Sequence, residues 1–194
     1  MTTPAASPKP RLIVGISGAS GVIYGIRLLE VLRQRGEVET HLVLTKPAER
    51  TIIEETDAKP DEVRALASVV HSPADIGASI ASGSFPVMGM VVLPCSIHSV
   101  ASIAYCQADN LLTRAADVML KERRKLVLVV RETPLHRGHL KAMLEATEAG
   151  AIVMPPVPAF YGRPQTVDDI VNHTVGRVLD LFEIRNDLLK RWGE

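Results

Sequence analysis

Along the chain, unbroken apolar runs alternate with stretches in which apolar residues recur every three or four positions. The apolar run at 11–16 (RLIVGI) and the β-rich run at 39–45 (ETHLVLT) read as strands, and the runs at 86–94 (PVMGMVVLP) and 125–131 (KLVLVVR) are continuous enough for strands buried on both faces of a parallel sheet. Two weaker runs, 67–72 and 151–154, read as short strands. Between the first two runs, Ile23, Ile26, Leu28, Leu29, Val31 and Leu32 gather on one side of a helix, with Arg27, Glu30 and Arg33 on the other. Helical periodicity returns at about 47–56, 96–106 and 111–121, then at 136–149 through Leu140, Met143 and Leu144. A last helix at 167–182 directs Ile170, Val171, Val175, Val178 and Leu179 inward. This alternation predicts an α/β fold with a doubly wound, mainly parallel sheet. It forms a single domain over 11–194, preceded by a flexible lead-in at 1–10.

Composition narrows the function. Twenty-two Lys and Arg balance 22 Asp and Glu among 194 residues. That balance argues against nucleic acid or an anionic membrane as partner, since both draw on a basic excess. The apolar runs are too short to span a bilayer. Two cysteines, Cys95 and Cys106, make neither a disulfide framework nor a four-cysteine zinc site. The first ten residues lack the apolar core of a secretory signal, so a cytoplasmic protein with reduced thiols is expected. His136 and His139 stand three apart with no third ligand nearby in sequence, and no metal is expected.

In a doubly wound sheet, ligands bind beyond the carboxyl ends of the strands, where the strand order reverses. After the first run comes Gly15-Ile16-Ser17-Gly18-Ala19-Ser20-Gly21, its glycines three apart and unlike the dinucleotide fingerprint. Small residues admit a ligand to the backbone, a helix N-terminus favours an anion, and Ser17 and Ser20 offer hydroxyls. A tight turn with Ser20 as helix cap fits the same residues. Pro94-Cys95-Ser96-Ile97-His98-Ser99 follows the most apolar run, with Ser96 and Ser99 as ligand hydroxyls or as caps. Cys95 beside His98 invites a nucleophile–base pair, but neighbours on a turn rarely reach that geometry, and a buried structural thiol fits better. Arg131-Glu132 pairs an anion-binding group with a proton-transfer group, or forms a salt bridge. Arg114 and Lys121, two helical turns apart, reach one anion only if they share a face. Glu54-Glu55 ends a helix, Phe160-Tyr161 follows a proline-rich loop, and Trp192 suits a packed tail or an oligomer contact.

Taken together, SGASGVIYGIRLLEVL, LTKPAERTIIEET, VVLPCS, NLLTRAADVMLKERRKLVLVVRETPLHRGHLKAML and PPVPAFYGRPQTVDDIV resemble the UbiX family of flavin prenyltransferases. The resemblance covers nearly everything after residue 10 and is most specific from Arg114 to Pro134. RETPLHRGHL is similar to the branch known as phenylacrylic acid decarboxylase, or as a component of hydroxyarylic acid decarboxylases. The resemblance implies a flavodoxin-like Rossmann fold and a homododecamer with FMN at subunit interfaces. It implies metal-independent transfer of a dimethylallyl group from dimethylallyl phosphate to N5 and C6 of reduced FMN, the product passing to a UbiD-type decarboxylase. By the same resemblance, Gly18, Ala19, Ser20, Thr45, Ser96, Ile97, His98, Ser99 and Arg131 would hold FMN. Arg114, Lys121, Tyr161 and Arg177 would grip the prenyl phosphate. Glu132, Glu55 and Ser20 would serve the chemistry, and Trp192 would close the pocket. Ile97-His98 departs from the Thr-Gly or Met-Lys of many members, which leaves backbone contacts to the flavin intact. A non-catalytic flavin carrier or regulatory subunit of an aromatic-acid decarboxylase is the alternative. Retention of Glu132, Arg114, Lys121, Tyr161 and Arg177 favours synthesis over carriage.

Overall fold

The computed structural model describes residues 9–193, so 1–8, most of the expected lead-in, lie outside the described residues. The elements in chain order are β1 (Arg11–Ile16), α1 (Val22–Arg35), β2 (Glu39–Leu44), α2 (Lys46–Glu55), α3 (Pro60–Arg64) and β3 (Val69–His71). After a 3-10 turn at Ser79–Ala81 come β4 (Gly89–Cys95), α4 (Ile97–Ala104), α5 (Leu111–Lys121), β5 (Lys125–Val130), α6 (Arg137–Glu148), β6 (Ile152–Val153) and α7 (Val167–Leu181). The strands form one sheet in the order β3-β2-β1-β4-β5-β6, and every pairing is parallel. The doubly wound α/β sheet expected from the sequence is therefore present.

Strand side chains alternate between faces, and the two cores follow that parity. Leu12, Val14, Leu42, Leu44, Val91, Leu93, Val127 and Val129 pack under α1, α2 and α7. Ile13, Val43, Met90, Val92, Leu126, Leu128 and Val130 pack under α4, α5 and α6. These strands are buried on both sides, which is why they read as continuous apolar runs rather than alternating ones. Helix α1 lies hard against the sheet: a Cβ on Gly25 would stand 2.4 Å from the Leu93 carbonyl oxygen.

In two helices the structure departs from the reading of the sequence. Helix α6 does not turn Leu140 and Leu144 inward; they are 54% and 55% exposed, while Ala142 and Ala146 are buried. Residues two apart on a helix lie about 200° apart around it, so the small alanines take the sheet side and the leucines take the outer face. Ile23 likewise faces outward, at 39% exposure. Helix α3 and the 3-10 turn were not foreseen, because neither is long enough to show a period.

Candidate active site

The connections leaving β1 and β4, neighbours in the sheet, turn to opposite faces, and a cleft of about 530 Å³ opens beyond their carboxyl ends. Four strand ends line it. Ser17, Gly18, Ala19 and Ser20 follow β1, Thr45 and Pro47 follow β2, Ser96, Ile97, His98 and Ser99 follow β4, and Arg131 and Glu132 follow β5. Asn110, the cap of α5, completes the lining and was not singled out in the sequence.

Ser17 does not offer its hydroxyl to a ligand, as the sequence suggested. It is 1% exposed; its Oγ donates to the Pro94 carbonyl at 3.0 Å and accepts the Ser96 N–H at 2.8 Å. Gly18 packs on the start of α2 so closely that a Cβ there would meet the Pro47 Cβ at 2.3 Å. Thr45 caps α2, accepting from Ala48 N at 3.4 Å, and Ser96 caps α4, accepting from Ser99 N at 3.2 Å. The hydroxyls of Ser96 and Ser99 lie 3.0 Å apart. Both helices thus begin at the cleft, with first-turn amides and positive dipole ends placed to attract an anion.

Ser20 does not cap α1. The N-cap is Gly21, at a positive φ of 96° and without a side-chain cap. The acceptor comes from α2 instead: Glu55 Oε2 takes the N–H groups of Gly21 at 2.8 Å and Val22 at 3.3 Å. Glu55 is accordingly an anchor for the first turn of α1 in this structure and does not line the cleft. Its neighbour Glu54 pairs with Arg50 at 2.7 Å.

At the β5 end, Arg131 donates its backbone N–H to the Cys95 carbonyl at 3.0 Å. Its guanidinium has no hydrogen-bond or ion-pair partner among the described residues, so the salt-bridge reading fails. Glu132 is half-buried and accepts the Thr133 N–H through Oε1 at 3.0 Å, with Oε2 uncommitted among the described residues. Cys95 is fully buried, and desolvation pushes its thiol far above the ordinary cysteine range. It is the inert structural thiol that the sequence favoured.

The remaining candidates fall outside the cleft lining in two groups. On α5, Arg114 pairs with Asp117 at 2.8 Å, and Lys121 pairs with Glu122. At the C-terminal end, the Tyr161 ring meets Trp192 edge-on with centroids 5.3 Å apart, and Arg177 pairs with Asp180 at 3.1 Å. His173, overlooked in the sequence, lies 3.1 Å from the Tyr161 hydroxyl through Nε2. Burial holds the His173 imidazole below the usual histidine range, and the Arg177 charge adds to this while Asp180 opposes it. The available signal was its place one helical turn before Arg177.

Among the described residues, no group of three or more His, Cys, Asp or Glu is placed to hold a metal ion, and no helix is long and apolar enough to cross a membrane.

A family model described as Flavoprotein matches residues 1–179. The chain is 61% identical over 184 residues to the flavin prenyltransferase UbiX of Escherichia coli strain K12, covering 94% of this chain and 97% of that one. A crystal structure of a UbiX protein in complex with FMN and dimethylallyl pyrophosphate superposes with a TM-score of 0.94 at 50% identity, over 96% of this chain and 99% of that one. A dodecameric FMN-dependent UbiX-like decarboxylase from Escherichia coli O157:H7 superposes with a TM-score of 0.92 at 51% identity, over 95% of this chain and 100% of that one.

Proposed function

The chain belongs to the UbiX family of flavin prenyltransferases, and from that premise we propose that it joins a dimethylallyl group from dimethylallyl phosphate to N5 and C6 of reduced FMN. The observation that carries the reading is the cleft at the strand switch, with two capped helix N-termini, a small-residue loop and an unpaired guanidinium converging on it. Its volume of about 530 Å³ lies within the range of small-molecule and cofactor pockets. Its donors suit a flavin phosphate and a polar ring edge.

Reduced FMN, when bound, supplies the ring nitrogen and ring carbon that accept the five-carbon unit. The chain supplies the rest. Gly18, Ala19 and Ser20, with Thr45 and the segment from Ser96 through Ile97 and His98 to Ser99, hold the flavin, and Arg131 brings its free cation to the same site. Glu132, with Oε2 uncommitted at the cleft wall, accepts the proton that ring closure releases. Glu55 positions the Ser20–Gly21 turn through the α1 amides. Negative charge builds on the phosphate oxygens as the allylic bond ionises, and Arg114, Lys121, Arg177 and the Tyr161 hydroxyl stabilise it without a metal. Trp192 excludes water and offers a π face to the cationic carbon unit.

Within one chain these phosphate ligands do not line the cleft, so neighbouring copies complete the site in a homododecamer. The outward Leu140 and Leu144, with Phe160 at 71% and Trp192 at 81% exposure, support contacts between copies. The cytoplasm is the proposed compartment, and a UbiD-type decarboxylase the recipient of the product. A carrier that only delivers the modified flavin would have no use for Arg114, Lys121, Tyr161 and Arg177.

The test is anaerobic incubation with reduced FMN and dimethylallyl monophosphate, then mass spectrometry of the extracted flavin. A flavin heavier by one five-carbon unit is expected. Unmodified FMN with both the monophosphate and the diphosphate would overturn synthesis and leave carriage.

A further inference from the structure

The contact between Tyr161 and His173 has a direction, and the direction decides what Tyr161 can do. The two rings meet at 79° with centroids 5.7 Å apart, and the hydroxyl lies 3.1 Å from Nε2. A tyrosine hydroxyl has one proton to donate, whereas an ionised phosphate oxygen only accepts. If Nε2 is bare, it takes the Tyr161 proton and the hydroxyl has nothing left for a phosphate. If Nε2 carries hydrogen, it donates to the phenolic oxygen, and the O–H is free to point elsewhere.

We propose that His173 is a positioning residue for the prenyl phosphate: as an Nε2–H donor it turns the Tyr161 hydroxyl proton towards a phosphate oxygen. This rests on the reading of Tyr161 as a phosphate ligand. The surroundings of the imidazole favour its neutral form, so the tautomer rather than a charge sets the direction. Arg177 stands one turn further along α7 and repels a proton on the ring, while Asp180 attracts one. Arg163, Asp169 and Lys190 line a cavity of about 200 Å³ with His173. There Asp169 accepts the backbone N–H groups of Gln165 and Thr166, which hold its carboxyl below the usual carboxylate range.

The proposal makes His173 replaceable by a side chain that donates from a similar place, and not by one that only fills the space. Steady-state kinetics with dimethylallyl phosphate on His173→Leu, His173→Gln, Tyr161→Phe and the double variant Tyr161→Phe/His173→Leu test it, with FMN affinity measured alongside. Loss of one neutral hydrogen bond predicts kcat/KM for the prenyl donor lowered about threefold to tenfold in His173→Leu, with FMN affinity kept. His173→Gln should stay within about twofold of the parent. In the Tyr161→Phe background, His173→Leu should add nothing. Failure of His173→Gln to rescue, an equal effect of His173→Leu with and without the Tyr161 hydroxyl, or an unchanged kcat/KM in His173→Leu would each overturn the proposal alone. An unchanged kcat/KM in Tyr161→Phe would overturn the reading of Tyr161 itself.

Discussion

The Ser17 hydroxyl accepts the backbone N–H of Ser96 at 2.8 Å across a separation of 79 residues, and donates to the Pro94 carbonyl at 3.0 Å. These bonds join the loops that leave β1 and β4, the neighbouring strands where the chain switches sides. Two walls of the cleft are therefore held together by one buried hydroxyl.

Ser17→Ala removes both bonds of a hydroxyl that is 1% exposed. The Pro94 carbonyl keeps the Ser17 N–H at 3.2 Å, but the Ser96 N–H loses its acceptor. An unsatisfied buried donor costs about 1–3 kcal/mol. For a chain of this size that lowers the melting temperature by roughly 2–4 °C per kcal/mol. FMN affinity should fall with it as the Ser96 loop loosens. Thermal melts and a flavin fluorescence titration check both effects, and a variant that melts and binds like its parent would dismiss the bridge.

Glu132 and Glu55 should separate on substitution by glutamine. Glu132 stands at the cleft with a free carboxylate oxygen, so Glu132→Gln should keep FMN bound and slow ring closure by about 10²–10⁴, the usual range for a general acid–base group. Glu55 accepts two backbone N–H groups, a task that the carbonyl of glutamine also performs. Glu55→Gln should retain most of the turnover and lose only the charge at the N-terminus of α1, about 0.3–1 kcal/mol. Single-turnover assays with extracted-flavin mass spectra distinguish the two. Equal losses would return Glu55 to the proton-transfer chemistry.

Cys95 should be silent towards thiol reagents in the folded protein. It is fully buried, and desolvation keeps its thiol protonated well above neutral pH, whereas the nucleophile is the thiolate. In a Cys106→Ser variant, an aromatic disulfide reagent at pH 8 should find no reactive thiol until denaturant is added, and then one per chain. Rapid labelling without denaturant would show that the end of β4 opens readily.

The sheet was legible in the sequence because its central strands are buried on both faces, which writes an unbroken apolar run. β3 was harder to place, since Val69 and Val70 are exposed and only three residues pair. Helix α6 misled because leucine usually marks the inner face of a helix, whereas here Ala142 and Ala146 hold the sheet side. The residues that follow the strands line one cleft because a parallel sheet places all those ends together, which is why that lining was legible. Glu55 and His173 act through partners 34 and 12 residues away, Gly21 and Tyr161, and no local pattern records such pairs. The separation of Arg114 and Lys121 from Tyr161 and Arg177 depends on how helices pack, which periodicity within each helix leaves open.

The C-terminal tail should be held by a carboxylate that fails in acid. Arg191 grips both oxygens of Asp180, at 2.9 and 3.1 Å, and Arg177 and Asn186 approach the same group. The bond from Arg191 is the main cause that keeps the Asp180 carboxyl below its ordinary value of 3.8, with burial pulling the other way. Because the folded value is the lower one, the stabilisation is fully present above the unfolded value and is lost as pH falls through the folded value. Trp192 follows Arg191 and is the single tryptophan of the chain, so its emission reports on the tail alone. Its anisotropy should hold steady from neutral pH to about 4 and drop below that. Asp180→Asn should show the lowered anisotropy already at neutral pH, because the ion pair is gone while the fold, measured by far-ultraviolet circular dichroism, persists. An Asp180→Asn variant with the parent's anisotropy at neutral pH would assign the hold on Trp192 to its edge-on contact with Tyr161 instead.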